Sequence, residues 1–258
     1  MNKVELSGVG MTYVNKLGET RALSSIDLQI KSEEFVSLIG PSGCGKSTIL
    51  SLIAGLLFPS KGRVLIYGTE VQGTSPKVGY MLQHDHLFEW RNIKTNTFLG
   101  LEVRGLMDKK HKVNAIAMLE RYGLGNFLNR YPSELSGGMR QRAALARTLV
   151  LEPEILLLDE PFSALDYQTR LNLEEEVATI LKQEKKTVIL VTHDISEAIA
   201  MSDRILVLSP RPAVIKSEYL INLTGKGGSP FAGRQAPEFR QYFKEIWNDL
   251  EVGHEQIG

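Results

Sequence analysis

Apolar residues first alternate with polar ones along this chain, then change period several times. Over residues 4–13 and 22–30 they fall at roughly every second position, the repeat of strands with one buried face, and residues 15–19 read as the turn between them. Residues 35–39, apolar except for Ser37, read as a buried strand, followed after a short gap by an apolar helix over 47–54. Residues 62–67 and 78–83 give two more short strands, bounded by glycine and proline. From about residue 90 to 135 the period is helical. Val113, Ile116, Ala117, Leu119 and Glu120 lie on that repeat, and Gly123 and Gly125 punctuate its end. A helix over 136–151 begins with glycines, and residues 155–158 are an unbroken apolar strand. A helix (168–182), a strand (187–192), a helix (195–201) and a strand (204–208) follow. Past Ser209 the pattern fades. Residues 225–233 read as a glycine-rich loop, and no repeat or low-complexity segment occurs. Phe239, Tyr242, Phe243, Ile246, Trp247 and Leu250 then form one stripe of an amphipathic helix over about 237–250, expected to dock on the domain.

This alternation predicts an α/β fold: a parallel sheet with helices on both faces, an N-terminal antiparallel β subdomain, and a helical subdomain inserted at about 90–151. Composition adds exclusions. The chain is 43% hydrophobic, enough for a sizeable core, and its formal net charge of zero gives no global field to recruit nucleic acid. The lysine runs at 109–112 and 182–186 read as solvated helix faces. Cys44 is the single cysteine, so no internal disulfide can form. No apolar run approaches the ~18 residues of a membrane helix, and the start lacks a signal-peptide core. The expectation is a cytoplasmic chain that serves a membrane only through a partner.

Candidate chemistry concentrates in three places. Gly40-Pro41-Ser42-Gly43-Cys44-Gly45-Lys46-Ser47-Thr48 joins the strand at 35–39 to the helix at 47–54 and fits G-x-x-x-x-G-K-S/T. Glycines let the backbone turn tightly and aim N–H groups at phosphate oxygens, and the helix adds its positive dipole end. Lys46 is placed to reach β- and γ-phosphates, and the Ser47 hydroxyl to ligate Mg²⁺. The strand at 155–158 ends in Asp159-Glu160. Asp159 is a carboxylate for Mg²⁺, and Glu160 a base for the attacking water. Ser136-Gly137-Gly138 opens a helix, so its N–H groups and dipole make a second anion site.

One chain with two phosphate sites resembles the nucleotide-binding domain of ATP-binding-cassette proteins, over nearly all of residues 3–215. The resemblance implies a P-loop NTPase fold with a RecA-like sheet, ATP and Mg²⁺ as cofactors, and ATP hydrolysis. It also implies residue roles. Tyr13 would stack on adenine, Gln83 would contact Mg²⁺ and the attacking water, and His193 would contact the γ-phosphate. Asp166, in Ser163-Ala164-Leu165-Asp166, would lie in a loop crossing to a second copy. Two copies would meet head to tail, each Ser136-Gly137-Gly138 closing on the other's ATP. Membrane permease subunits and a separate solute-binding protein would complete an importer, with this chain peripheral on the cytoplasmic face of the inner membrane. Pro161-Phe162-Ser163, Met139, Ser202-Asp203-Arg204 and Arg211-Pro212 are similar to bacterial importer ATPases, and within those to the single-domain nitrate, sulfonate and taurine group. Residues 1–258 then form one such domain. Phe88-Glu89-Trp90 departs from the Leu-Pro-Trp of that group; Phe88 and Trp90 are expected to open an apolar groove for a permease helix. A non-transport cassette ATPase and an importer subunit of another class stay open, and no residue here reads out the solute.

Overall fold

The structure is a computed structural model and describes residues 2–16, 18–163, 165–225, 227 and 229–251. Ala164 of the 163–166 segment, and Lys226 and Gly228 of the 225–233 loop, lie outside the described residues. In chain order the elements are β1 (Asn2–Asn15), β2 (Gly18–Lys31), β3 (Phe35–Ile39), α1 (Lys46–Ile53), β4 (Lys61–Ile66), β5 (Thr69–Glu70) and β6 (Val78–Met81). Then come α2 (Ile93–Val103), α3 (Lys109–Arg121), α4 (Gly137–Leu149), β7 (Ile155–Asp159) and α5 (Tyr167–Gln183). The chain closes with β8 (Thr187–Val191), α6 (Ile195–Met201), β9 (Arg204–Leu208), β10 (Ile215–Leu220), α7 (Pro230–Gln235) and α8 (Phe239–Glu251). Two compact units result: one of residues up to Ser75 and from Glu174 onward, the other Pro76–Leu173.

The first unit holds two sheets. β2-β1-β4-β5 is antiparallel throughout, as the alternating start of the chain predicts. In the other sheet β3 runs parallel between β8 and β9, Val36 facing Ile189 on one side and Arg204 on the other. β8 is buried at every position and β3 and β9 at all but their first residue, which is why they read as mostly apolar runs rather than alternations, with Ser37 of β3 buried among them. β10 adds an antiparallel edge beside β9. In the second unit β6 and β7 pair in parallel, Val78 facing Ile155.

Three departures from the sequence reading have local causes. β10 alternates half-buried and exposed residues (Ile-Lys-Ser-Glu-Tyr-Leu), too polar for a strand signal but suited to a sheet edge. α7 lies partly within the stretch read as loop: Pro230 occupies its first turn and Ser229 Oγ accepts the Ala232 N–H at 3.1 Å. In α3 Leu119 is buried and Ile116 packs inward as expected, but Val113 is 55% exposed and Ala115 takes the other buried position. α8 docks as expected. Ile246 is fully buried among Ile195, Ile199 and Ile205, with Phe239, Tyr242 and Phe243 against the same cluster.

Candidate functional site

Each unit carries its own share of the candidate residues. In the first, the chain leaves β3 at Ile39 and turns through residues 40–45 into α1. Gly43 (φ +71°) and Gly45 (φ +122°) hold left-handed backbone that a side chain would strain. Gly40 is fixed by space, since a Cβ there would lie 3.0 Å from the Leu208 carbonyl oxygen. Inside the turn the Cys44 N–H donates to the Pro41 carbonyl at 3.2 Å. Lys46 is 6% exposed, and its Nζ donates to the carbonyls of Gly40 (2.7 Å) and Pro41 (3.0 Å). A buried ammonium is thus kept at the loop with carbonyl dipoles as partners. Gly45 is the N-cap of α1 and no side chain caps that helix, so its first N–H groups and dipole face the turn. Glycine backbone, a buried lysine and an uncapped helix start fit a phosphate group.

Ser42 and Ser47 are exposed on this loop and Thr48 is half-buried. The Tyr13 hydroxyl lies 3.1 Å from Thr48 Oγ1 and the residue is 37% exposed, so Tyr13 is not a core residue. Cys44 is buried; burial pushes its thiol up against the pull of the Lys46 charge. Its side chain packs, and only its backbone belongs to the turn. His193 follows β8 in a braced turn. The Thr192 hydroxyl donates to Glu197 Oε2 (3.1 Å) and accepts the Asp194 N–H (3.0 Å). Asp194 caps α6 through the N–H groups of Ser196 and Glu197. The His193 side chain is exposed.

In the second unit, β7 is buried along its whole length and ends in Asp159, to whose Oδ2 the Tyr80 hydroxyl donates at 3.2 Å. Glu160 then adopts φ +45°, a conformation costing a non-glycine residue about 1–3 kcal/mol. Its carbonyl accepts from Ser163 Oγ (3.0 Å), and its carboxylate accepts from Gln83 Nε2 at 3.4 Å. The structure therefore brings Gln83 to Glu160. Ser136 caps α4 with its own hydroxyl, taking the Met139 N–H at 3.4 Å, so the cap leaves aside the N–H groups of Gly137 and Gly138 in the first turn. A Cβ on Gly138 would lie 2.7 Å from Thr169 Cγ2, so α5 crowds that position; one on Gly137 would meet only Leu165 Cδ2 at 3.3 Å, which a small shift of the leucine relieves. Asp166 caps α5 by accepting the Thr169 N–H at 3.1 Å; hydrogen bonds from Thr169 hold its carboxyl below the usual range.

Sequence reasoning missed the residues that hold the segment carrying Gln83. Arg147 donates to the carbonyls of His86 (2.7 Å) and Asp85 (2.5 Å), and Arg140 to the Asp85 carboxylate (3.1 Å). Burial pulls the Arg147 pKa down, against the Asp85 charge. Asn96, fully buried in α2, accepts the Phe88 N–H (2.7 Å) and donates to the carbonyls of Phe88 (3.0 Å) and Arg91 (2.8 Å). The one available signal was Arg140 and Arg147 seven apart, on one face of α4. Phe88 is half-buried and stacks on Trp90 (centroids 4.7 Å, planes 11°), which is 73% exposed.

A glycine loop of this build, ending a parallel strand and feeding an uncapped helix, defines a P-loop nucleotide-binding domain. The comparisons narrow that class. The ABC transporter family matches residues 23–163. An uncharacterized ABC transporter ATP-binding protein of Bacillus subtilis, YtlC, is 48% identical over 250 residues, covering 97% of this chain and 96% of the relative. The nitrate import ATP-binding protein NrtD of Synechocystis (40% identity; 94% and 93% covered) and the taurine import ATP-binding protein TauB of Yersinia pseudotuberculosis (40%; 96% and 99%) also match. Among solved structures, a dimeric post-hydrolysis state of the ATP-binding cassette MJ0796 bound to ADP and Pi superimposes with a TM-score of 0.75 at 32% identity, covering 85% of this chain and 99% of that one. The chain belongs to the ABC transporter family and is an ATPase.

Proposed function

We propose that the chain is the ATP-hydrolysing subunit of a bacterial importer, working as one cassette of residues 1–258 in an ATP-closed pair of copies. The observation that carries this is the buried Lys46 ammonium in its glycine loop, supported by the matching import ATP-binding proteins. In this reading Lys46 and the N–H groups of residues 40–48 bind the β- and γ-phosphates, and the exposed Tyr13 ring stacks on adenine. Glu160 serves as general base, with Gln83 orienting the attacking water and His193 on the γ-phosphate. The hydroxyl of Ser47, the carboxylate of Asp159 and the amide oxygen of Gln83 are oxygen donors of the kind Mg²⁺ takes. When bound, that ion would neutralise charge on the phosphates. Ser136, Gly137, Gly138 and Asp166 would meet the second copy.

Among the described residues no helix is long and apolar enough to cross a membrane. Attachment to the cytoplasmic face would therefore run through a permease, for which the exposed Trp90 and its partner Phe88 supply an apolar anchor. The two named import relatives favour a small solute such as nitrate, a sulfonate or taurine, delivered by a separate binding protein. Lys46→Ala tests the reading. Removing one preorganised hydrogen-bond donor from a transition-state site costs ~2.7–4 kcal/mol, so losing the Lys46 ammonium should lower ATP turnover at least about 10²–10³-fold. A folded variant with near-normal turnover would overturn it. Uptake of labelled nitrate and taurine by vesicles holding the chain assembled with a permease and binding protein that co-purify with it discriminates the solutes.

A further inference from the structure

The turn between β9 and β10 carries Arg211, whose motif the function above leaves unused. That turn is held closed by Ser209. Its N–H donates to the Val214 carbonyl (3.0 Å) and its Oγ accepts the Val214 N–H (3.0 Å). β9 and this turn bear on the phosphate loop directly through Leu208 and Arg211, and indirectly through Ala213 and Leu23. Leu208 limits the space at Gly40. Ala213 is bonded on both sides to β2, its N–H to the Ala22 carbonyl and its carbonyl to the Ser24 N–H, both 2.9 Å. This pins Leu23, whose Cδ2 would lie 2.8 Å from a Cβ at Gly45. Between these contacts Arg211 Nε donates to the Gly43 carbonyl, and Nη2 would lie 2.6 Å from a Cβ on Gly43.

We propose that Arg211 is a positioning residue for the phosphate loop: by holding the Gly43 carbonyl outward it orients the peptide between Gly43 and Cys44. The carbonyl and N–H of a trans peptide point in opposite directions. Fixing the Gly43 oxygen on the Arg211 side therefore aims the Cys44 N–H into the turn, where it meets Pro41. Gly43 has no side chain to restrict its φ of +71°, so without Arg211 only the hydrogen bond from the Cys44 N–H to Pro41 opposes a flip that would present an oxygen, not a hydrogen, to a phosphate. The Arg211 charge also opposes the burial that raises the Cys44 thiol, placing it close to the loop. Arg211 itself is exposed, so it adds little to the core.

This inference rests on the nucleotide reading, and the test separates the two. Affinities for ATP and ADP are measured on the full chain by titration calorimetry, with the nucleotide-free melting temperature recorded alongside. Arg211→Ala should weaken ATP and ADP alike, about ten-fold each, because a flipped peptide disturbs the site common to both. Melting should stay within about a degree, as for other exposed positions. Arg211→Lys, which keeps one donor, should recover part of the affinity. Unchanged affinities overturn the proposal. So does weakening of ATP alone, which would place Arg211 on the terminal phosphate, and so does a fall of several degrees in both variants, which would make it a strut. Wild-type chain that binds neither nucleotide overturns the nucleotide reading together with this one.

Discussion

Asn96 is fully buried, yet almost every partner it has is a backbone group of the irregular segment ahead of α2. Asn96→Ala would leave the Phe88 N–H and the Phe88 and Arg91 carbonyls without that side chain. At ~1–3 kcal/mol for a group left unsatisfied, the expected loss in urea unfolding is about 2–3 kcal/mol. A loss under about 0.5 kcal/mol would show that water replaces the amide. Gly138 makes the opposite case, where a group must not be added. Gly138→Ala puts a methyl 2.7 Å from Thr169 Cγ2 and should lower stability by about 1–3 kcal/mol, with Thr169→Ser restoring most of it. If the double variant melts no higher than Gly138→Ala, the clash is not the cause. These residues differ in legibility for a physical reason. Lys46 belongs to a motif nine residues long and is readable because its partners are its sequence neighbours. Asn96 and Arg147 act on backbone 4 to 62 residues away, and apart from the seven-residue spacing of Arg140 and Arg147 nothing in the local sequence marks them.

Among the elements, strands buried on both faces and long amphipathic helices were legible, because burial imposes a period on the residues. β10 and α7 were not. The first is an edge strand whose side chains are half solvated, and the second is six residues held by a cap more than by packing. α8 combines both situations: its stripe announces the helix, but its docking also relies on a polar latch. The Asp249 carboxylate accepts from Ser217 and Tyr219 (2.7 Å), and Lys216 donates to the Asp249 main-chain carbonyl with its charge 3.7 Å from the carboxylate. Burial alone would raise the Asp249 pKa, yet these hydrogen bonds and the Lys216 charge bring it below normal; burial and Asp249 push Tyr219 up to about 12. A carboxyl with a lowered folded-state pKa stabilises above its unfolded value of about 3.9, and that contribution disappears as pH falls through the folded value. In a Trp90→Phe background Trp247 is the one tryptophan left. Its emission should stay constant from pH 7 to about 4 and shift red below that. Asp249→Asn should remove the part of the step due to this group, and an identical acid profile in that variant would show the latch to be idle.

At the scale of the molecule, the paired-copy reading makes its own forecast. Glu160→Gln keeps shape and removes the base, so ATP should bind, persist and convert single chains into pairs detectable by light scattering. Ser136→Arg should prevent pairing while leaving ATP binding to the single chain; an unchanged mass with ATP in Glu160→Gln argues against a shared site. The two compact units differ in how the chain builds them. Pro76–Leu173 is one continuous stretch, whereas the other unit is completed only by residues from Glu174 onward. β1, β2, β4 and β5 can pair as soon as they leave the ribosome, but β3 waits for β8 and β9. At 5–20 residues per second, about 150 residues of delay amount to roughly 8–30 s with an apolar strand unpaired. The phosphate loop at its end, translated within the first fifty residues, is therefore among the last parts of the protein to take shape, and Phe35–Ile39 is the segment a nascent-chain chaperone has most reason to cover.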